Sequence, residues 1–113
     1  MNKYLFLYRR PEDSFSYQPS PDEMQAVFKA WQEWKEKFKE NIVDMGDGLK
    51  AGGKVIGKKG DIVDGPFVEA KEVMGGYSVV HAKDYPHALE VAKACPMAAI
   101  PGCTIEVREM AGY

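Results

Sequence analysis

The sequence predicts a small α+β domain, and three features of its 113 residues favour that class. Short runs rich in aromatic and β-branched residues have the composition of strands. Longer segments repeat their apolar residues at helical spacing. These elements follow one another as strand, helix, strand, excursion, strand, helix, strand. The length fits one domain, so residues 1–113 are predicted to form a single unit.

The first strand is predicted at residues 3–9, where the run KYLFLYR is almost wholly apolar or aromatic. Successive side chains of a strand point to opposite faces of a sheet. One face of this strand would carry Leu5 and Leu7. The other would carry the aromatic set Tyr4, Phe6 and Tyr8.

The first helix is predicted to begin just after Ser20. A serine is suited to the N-cap, Pro21 suits the first helical position, and Glu23 completes a capping box. Apolar residues then recur at helical spacing and form one wide stripe. Its members are Met24, Val27, Phe28, Trp31, Trp34, Phe38 and Ile42. The helix is expected to end shortly before Gly46.

The stretch that follows the helix resembles a phosphate-binding loop in spacing but not in chemistry. Gly48, Gly53 and Lys54 have the required spacing, yet Val55 stands where a Ser or Thr should bind magnesium. Such a loop also leaves a strand and opens a helix, whereas here a helix comes first. The stretch is therefore interpreted as a glycine-rich turn, followed by a strand at KVIG (54–57).

The second half of the chain repeats the order of the first. The run GYSVVHA (76–82) is a predicted strand, and Asp84 is a suitable cap for a helix over YPHALEVAKAC (85–95). Pro96 stops that helix. CTIEVREM (103–110) is the last predicted strand, with Ile105 and Val107 on one face.

This order is the split βαβ, ferredoxin-like pattern, in which two helices cover one face of a four-stranded sheet. The predicted helix-facing set is Leu5, Leu7, Ile105 and Val107. The opposite face would carry Tyr4, Phe6, Tyr8, Glu106 and Arg108, with either Tyr77, Val79 and His81 or Ser78 and Val80 from the middle strand. That face is too aromatic to stay in water and too charged for a dry core. A homodimer that packs two sheets face to face around a polar-lined cavity would account for both properties.

Composition excludes several classes of function. A formal net charge of −2 argues against general nucleic-acid binding. The apolar run near the N-terminus is too short for a signal peptide or a bilayer span, so a cytoplasmic protein is expected. Cys95 and Cys103 lack metal-ligand spacing and are expected to be reduced thiols. His81 is interpreted as a satisfied structural histidine and His87 as an exposed one, so neither a metal nor a cofactor is expected.

The excursion GDIVDGPFVEAKEVMGGY (60–77) combines chain-bending residues with charges. Asp64, Gly65 and Pro66 have turn chemistry, and Glu69, Lys71 and Glu72 follow. One interpretation is a turn whose lysine pairs with a glutamate. The other is a charged rim of Asp64, Glu69, Lys71, Glu72 and Arg108 around a ligand cavity floored by Tyr4, Phe6 and Tyr8. Asp64 would be a candidate general acid–base if burial raised its pKa, or the rim could bind an amine or a polyol without chemistry.

The same excursion resembles the signature of the DGPF-domain proteins, which belong to the YCII-related group. The matching residues are Asp64, Gly65, Pro66, Phe67, Glu69, Lys71, Glu72, Gly75, Gly76 and Tyr77. The resemblance covers nearly the whole chain and implies a dimeric α+β barrel of ferredoxin-like subunits. It does not fix an activity, because the biochemical role of the group is largely unassigned.

Two functions are consistent with that resemblance. One is a small-molecule site in the dimer cavity, with a lyase-, isomerase- or hydrolase-like activity if it is catalytic. The other is a regulatory or interaction module, because members of the group are often encoded near, or fused to, extracytoplasmic-function sigma factors. Some relatives are suspected enzymes with a His–Asp pair whose histidine lies in the first half of the chain. This sequence has no histidine before His81, so that pair cannot be transferred to it.

Overall fold

The computed structural model describes residues 1–65 and 72–113 of the chain. Its strands are β1 (Asn2–Pro11), β2 (Ile42–Gly48), β3 (Gly53–Ile56), β4 (Ile62–Gly65), β5 (Glu72–Ala82) and β6 (Thr104–Glu109). Its α-helices are α1 (Pro21–Lys37) and α2 (Tyr85–Lys93). Short 3₁₀ turns lie at Glu12–Ser16, Lys58–Gly60 and Pro96–Ala99. The predicted α+β class is confirmed.

Four strands form an antiparallel sheet in the order β2-β5-β1-β6. β1 lies at the centre, paired on one side with β5 and on the other with β6. Gly75 is an extra residue in β5, because Tyr8 pairs with Gly76 while Arg9 pairs with Met74. β5 therefore bulges at Gly75.

The core lies between this sheet and the two helices. The rings of Phe6 and Trp34 are 6.5 Å apart, and the rings of Tyr8 and Trp31 are 5.7 Å apart. The Trp34 indole donates a hydrogen bond from Nε1 to the Val91 carbonyl at 3.0 Å, which ties α1 to α2 inside the core. A buried indole N–H needs such a partner. Both helices therefore cover the same face of the sheet, as predicted.

The face assignment of β1 was wrong. Tyr4, Phe6 and Tyr8 are buried against the helices, whereas Leu5 and Leu7 lie half-buried on the opposite face. Both sets are apolar, so alternation alone does not say which set is the core. The larger rings fill the space between sheet and helices, where they bury more area than leucine side chains would. Ile105 and Val107 do pack against this core, as predicted.

Helix α1 begins where predicted and ends earlier than predicted. The Ser20 side chain accepts a hydrogen bond from the Glu23 amide, and the Glu23 side chain accepts one from the Ser20 amide. Phe38 is the C-cap, so the helix ends well before Gly46. Its apolar stripe is also only partly buried, because Met24, Val27 and Phe28 are exposed.

The second strand of the sheet lies at 42–48 and not at the predicted 54–57. β2 was assigned to the helix because Ile42 continues the helical spacing of the apolar residues. Gly46 explains why a strand forms there: it has a φ of +73°, and a Cβ at this position would lie 1.7 Å from the Tyr77 carbonyl oxygen. Glycine alone permits that approach to β5.

The predicted strand KVIG is instead part of a separate hairpin. β3 and β4 pair with each other in a two-stranded sheet, with Val55 opposite Val63 and Ile56 opposite Ile62. Residues 49–52 connect β2 to β3 as the expected turn, and no α-helix follows Lys54 before β4. Phe67, a residue of the excursion that resembles the family signature, lies outside the described residues.

Trp34→Phe tests the link between the helices. We expect it to lower the free energy of unfolding by about 2 kcal/mol, because it leaves the buried Val91 carbonyl unpaired and a small void. Urea unfolding followed by circular dichroism measures the loss. Trp31→Phe is the matched control, since Trp31 is only half-buried, and we expect a loss of about 1 kcal/mol. Equal losses in the two variants would contradict a specific role for the Trp34 hydrogen bond.

Candidate functional site

The face of the four-stranded sheet opposite the helices is the candidate site, and we call it the open face. Its residues follow from the strand register, which places Leu5 opposite Val79 and Arg108, and Leu7 opposite Tyr77 and Glu106. Most are half-buried, although neither helix covers them. The set comprises Lys3, Leu5, Leu7, Arg9, Tyr77, Val79, His81, Glu106 and Arg108.

A charged cluster crosses the open face beside its apolar centre. Arg9 Nη2 lies 3.2 Å from Glu106 Oε1, and Arg108 Nε lies 3.9 Å from Glu106 Oε2. Two guanidinium groups thus share one carboxylate. An exposed ion pair of this kind contributes little to stability. The cluster leaves an excess positive charge that a ligand could neutralise.

His81 has an unsatisfied polar atom on the same face. Its backbone amide donates to the Asn41 carbonyl at 2.6 Å, and its carbonyl accepts from Asn41 Nδ2 at 3.1 Å. Its ring Nδ1 is shielded from solvent and has no hydrogen-bond partner among residues 1–65 and 72–113. The expectation of a satisfied structural histidine is therefore wrong for this ring. A buried polar atom without a partner is costly, and a ligand or a second subunit could supply the missing contact.

His87 differs from expectation in the opposite direction. It is half-buried, and its Nδ1 accepts a hydrogen bond from the Lys83 amide at 3.1 Å. Its own amide donates to the predicted cap residue, Asp84, at 3.0 Å. His87 therefore helps to fix the first turn of α2.

Acidic side chains border the open face on the β2 edge. The Asp44 side chain accepts a hydrogen bond from the Gly46 amide, and the Asp47 side chain accepts one from the Gly48 amide, each at 2.8 Å. These contacts hold β2 in its irregular course next to β5. The open face consequently has a carboxylate edge along β2 and a guanidinium cluster near β6, so a ligand between them would be oriented by charge.

The three aromatic residues predicted to floor the cavity lie on the other side of the sheet. Tyr8 donates its hydroxyl proton to Ser78 Oγ at 2.8 Å, and Ser78 in turn donates to the Met45 carbonyl at 2.7 Å. Burial raises the pKa of Tyr8 well above its ordinary value. Phe6 is fully buried, and Tyr4 packs edge-on against Tyr85 with ring centres 5.0 Å apart. A floor for the open face is made instead by Leu5, Leu7 and Val79.

The predicted charged rim is not brought together by the described residues. Asp64 lies on β4, where it forms an ion pair with Lys54 of β3 and its side chain is 84% exposed. The burial on which its acid–base role depended is therefore absent in this subunit. Glu72 is exposed at the start of β5, and Arg108 lies on the open face as predicted. Glu69 and Lys71 lie outside the described residues.

The two thiols are unpaired with each other and differ in environment. Cys95 is buried 3.6 Å from the Tyr8 hydroxyl, and desolvation raises the pKa of its thiol. Burial also raises the pKa of Cys103, which is half-buried. Neither thiol has the lowered pKa of a reactive nucleophile.

The described residues offer neither a metal site nor a membrane-spanning helix. They hold no group of three or more His, Cys, Asp or Glu side chains placed to bind a metal ion. Across residues 1–65 and 72–113, every helix is too short or too polar to span a bilayer.

Sequence reasoning placed Glu106 and Arg108 on this face and gave Tyr77, Val79 and His81 as one of two alternatives for the middle strand, but it missed the residues that β1 contributes. Leu5, Leu7 and Arg9 were assigned elsewhere or passed over, because the open face was given to the aromatic set. Their alternation with the larger rings showed that the two sets lie on opposite faces but not which set faces the helices. The unsatisfied ring of His81 had no signal in sequence, since it depends on what surrounds the side chain.

Tyr8→Phe tests whether the buried hydroxyl network is structural. The change removes one buried hydrogen bond, so we expect the free energy of unfolding to fall by about 1 kcal/mol. Thermal or urea unfolding measures it. Tyr4→Phe is the control, because the Tyr4 hydroxyl makes only a long contact of 3.4 Å to Glu109, and its loss should be smaller. A larger loss in Tyr4→Phe would contradict this assignment.

Comparison with known families assigns most of the chain. A family model that describes the YCII-related domain matches residues 3–111. A search of curated proteins returned no match.

Proposed function

The chain belongs to the YCII-related family, and we propose that it binds a small anionic metabolite between the open faces of two copies. The observation that supports this most is the combination found on the sheet face that neither helix covers: apolar half-buried side chains, two arginines sharing one glutamate, and a histidine nitrogen without a partner among residues 1–65 and 72–113. We place this homodimer in the cytoplasm.

The apolar centre of the open face supports pairing of two copies. Leu5, Leu7 and Val79 form one continuous patch, because Val79 is the direct partner of Leu5 in the sheet. A sheet covered on one side by helices must bury such a patch against another layer. Two ferredoxin-like subunits packed sheet to sheet would do this and would form a dimeric α+β barrel. Facing sheets lie about 10 Å apart, which leaves room for side chains and a small ligand.

The guanidinium cluster of the open face favours an anionic ligand. In a dimer the cluster is doubled, so four arginine side chains would face two glutamates. Burying unmatched positive charge is costly without a counter-ion. A ligand carboxylate or phosphate is the counter-ion that a guanidinium group binds best. Arg108 is the better candidate to bind it, because it contacts Glu106 only at 3.9 Å.

Binding is proposed here ahead of catalysis. A general acid–base needs a carboxyl whose pKa is raised by desolvation. Asp64 is largely exposed in the subunit, so an acid–base role would require a partner or a ligand to bury it. A lyase-, isomerase- or hydrolase-like activity stays the possibility to test if a ligand is found.

The second candidate is a regulatory or interaction module linked to sigma-factor signalling. One observation favours it: Met24, Val27 and Phe28 of α1 are exposed and lie away from the open face. An exposed apolar patch of this kind is a feature of interaction surfaces. The observation loses its weight if the chain covers the patch itself. Repeated co-purification of a sigma factor with the native protein would support this candidate.

Val79→Asp tests the pairing of open faces. It would place a carboxylate at the centre of the contact, so we expect the dissociation constant of the dimer to rise by about 100-fold. Analytical ultracentrifugation over a concentration series measures it. The charge control is Glu36→Lys on the exposed face of α1, which should leave the constant unchanged. An unchanged constant in a folded Val79→Asp protein would refute the proposed contact.

Arg108→Gln tests the anionic site. In a thermal-shift screen of carboxylate and phosphate metabolites, we expect at least one compound to bind the folded wild type and raise its melting temperature. Loss of the Arg108 guanidinium should raise the dissociation constant of that compound about tenfold or more. Asp64→Asn is the control, and the compound should raise its melting temperature as it does that of the wild type. The reverse pattern, with loss in Asp64→Asn and none in Arg108→Gln, would move the site from the open face to the β3–β4 hairpin.

A further inference from the structure

The β3–β4 hairpin is an apolar arm, defined as residues 53–65. Within residues 1–65 and 72–113 its strands pair with each other and not with the four-stranded sheet. Ile56 and Ile62 lie opposite one another on one face of the arm, and they are 71% and 66% exposed. Val55 and Val63 occupy the other face. An isolated two-stranded hairpin is barely stable in water, so this arm needs a surface to pack on.

The N-terminal half of α1 is a second exposed apolar surface, which we call the α1 patch. Met24 is 59% exposed and Phe28 is 66% exposed, with Val27 beside them. Contact with the sheet begins one turn later, where Trp31 meets Tyr8. The helix thus extends past the core, and Met24, Val27 and Phe28 of its apolar stripe are not among the described residues that pack against the core.

The two surfaces carry opposite charge. The turn of the arm exposes Lys58 and Lys59, beside a single Asp61. The turn that precedes α1 and the first turn of α1 carry exposed carboxylates at Glu12, Asp13, Asp22 and Glu23, while Lys29 beside Phe28 pairs with Glu33. Hydrogen bonds from Tyr17 and Ser20 lower the pKa of Glu23, which keeps that carboxylate charged. The arm is thus apolar with basic residues at its turn, and the α1 patch is apolar with acidic residues near it. The two surfaces are complementary in charge and lie on the same chain.

Both surfaces lie at the same end of the sheet. β1 ends at Pro11, and the chain reaches α1 through one short turn. The arm leaves from the far end of β2, where the Leu49 amide still bonds to the Gly75 carbonyl at 2.9 Å, and Gly76 pairs with Tyr8. In a single chain the arm and the patch both stay exposed, so the arm does not cover its own helix.

We propose that the arm of one copy packs on the α1 patch of a second copy, with Ile56 and Ile62 against Met24, Val27 and Phe28. A two-fold arrangement would let both copies exchange arms, because an isologous contact uses the same pair of surfaces twice. The exchange buries the exposed side chains of both surfaces and places Lys58 and Lys59 near the acidic residues of the partner's helix. It uses no residue of the open face.

Disulfide trapping between two differently tagged chains tests this contact. One chain carries Ile62→Cys and the other carries Phe28→Cys, both in a Cys103→Ser background that leaves only buried Cys95. We expect mild oxidation of the mixture to give a linked pair of chains on a non-reducing gel. Glu36→Cys, exposed on the other half of α1, replaces Phe28→Cys in the matched control and should link at least about tenfold more slowly.

A charge exchange gives a second, independent readout. Lys58→Glu with Lys59→Glu on the arm should slow trapping about fivefold, because two exposed ion contacts are lost. Adding Asp13→Lys and Asp22→Lys to the partner chain should restore the rate. Glu23 is left unchanged because it belongs to the capping box.

Three outcomes would overturn the proposal. One is equal linkage of Ile62→Cys to positions 28 and 36, or linkage to neither, in folded proteins. Another is linkage within one chain that carries both Ile62→Cys and Phe28→Cys, at a yield that does not change on dilution. The last is protection of the α1 patch by a different protein in the native complex. Trapping is read independently of Val79→Asp, so failure of the arm contact and failure of the open-face dimer are distinguishable.

Discussion

The one-sided cover of the sheet is the constraint on which the other features of this protein depend. The hydrogen bond from Trp34 to Val91 holds α1 and α2 together over one face. The large rings of Tyr4, Phe6 and Tyr8 then fill the space beneath them. Because no described helix remains to cover the other face, its leucines, valine and charged residues must be solvated or meet another molecule.

Start signals of the helices could be predicted from sequence, because they depend on adjacent residues. Ser20, Glu23 and Asp84 form the hydrogen bonds that their positions predicted. Which face of β1 meets the helices could not be predicted from sequence. Both sets of its side chains are apolar, and the choice depends on the volume between sheet and helices. β2 was missed for a related reason: Ile42 and Met45 satisfy helical spacing, and only the close approach of Gly46 to Tyr77 favours a strand.

The part of the candidate site on β6 was predictable from sequence, whereas the position of Asp64 was not. Glu106 and Arg108 alternate with Ile105 and Val107, so their place opposite the helices followed from a simple period of two. The rim around Asp64 was inferred from residues adjacent in sequence, but β4 carries Asp64 into a separate hairpin. Residues that are close along the chain need not share a face or even a sheet.

The two uncovered surfaces differ in what they can accept. The open face is bordered by carboxylates along β2 and by guanidinium groups near β6, and its apolar centre lies between them. Such a face suits a small polar ligand enclosed by a second sheet. The arm and the α1 patch have exposed isoleucine, methionine and phenylalanine side chains with opposite charges around them. That pattern suits burial against another protein surface, and the same chain supplies both halves. A second copy is therefore the partner that the proposed open-face pairing and the proposed arm contact share.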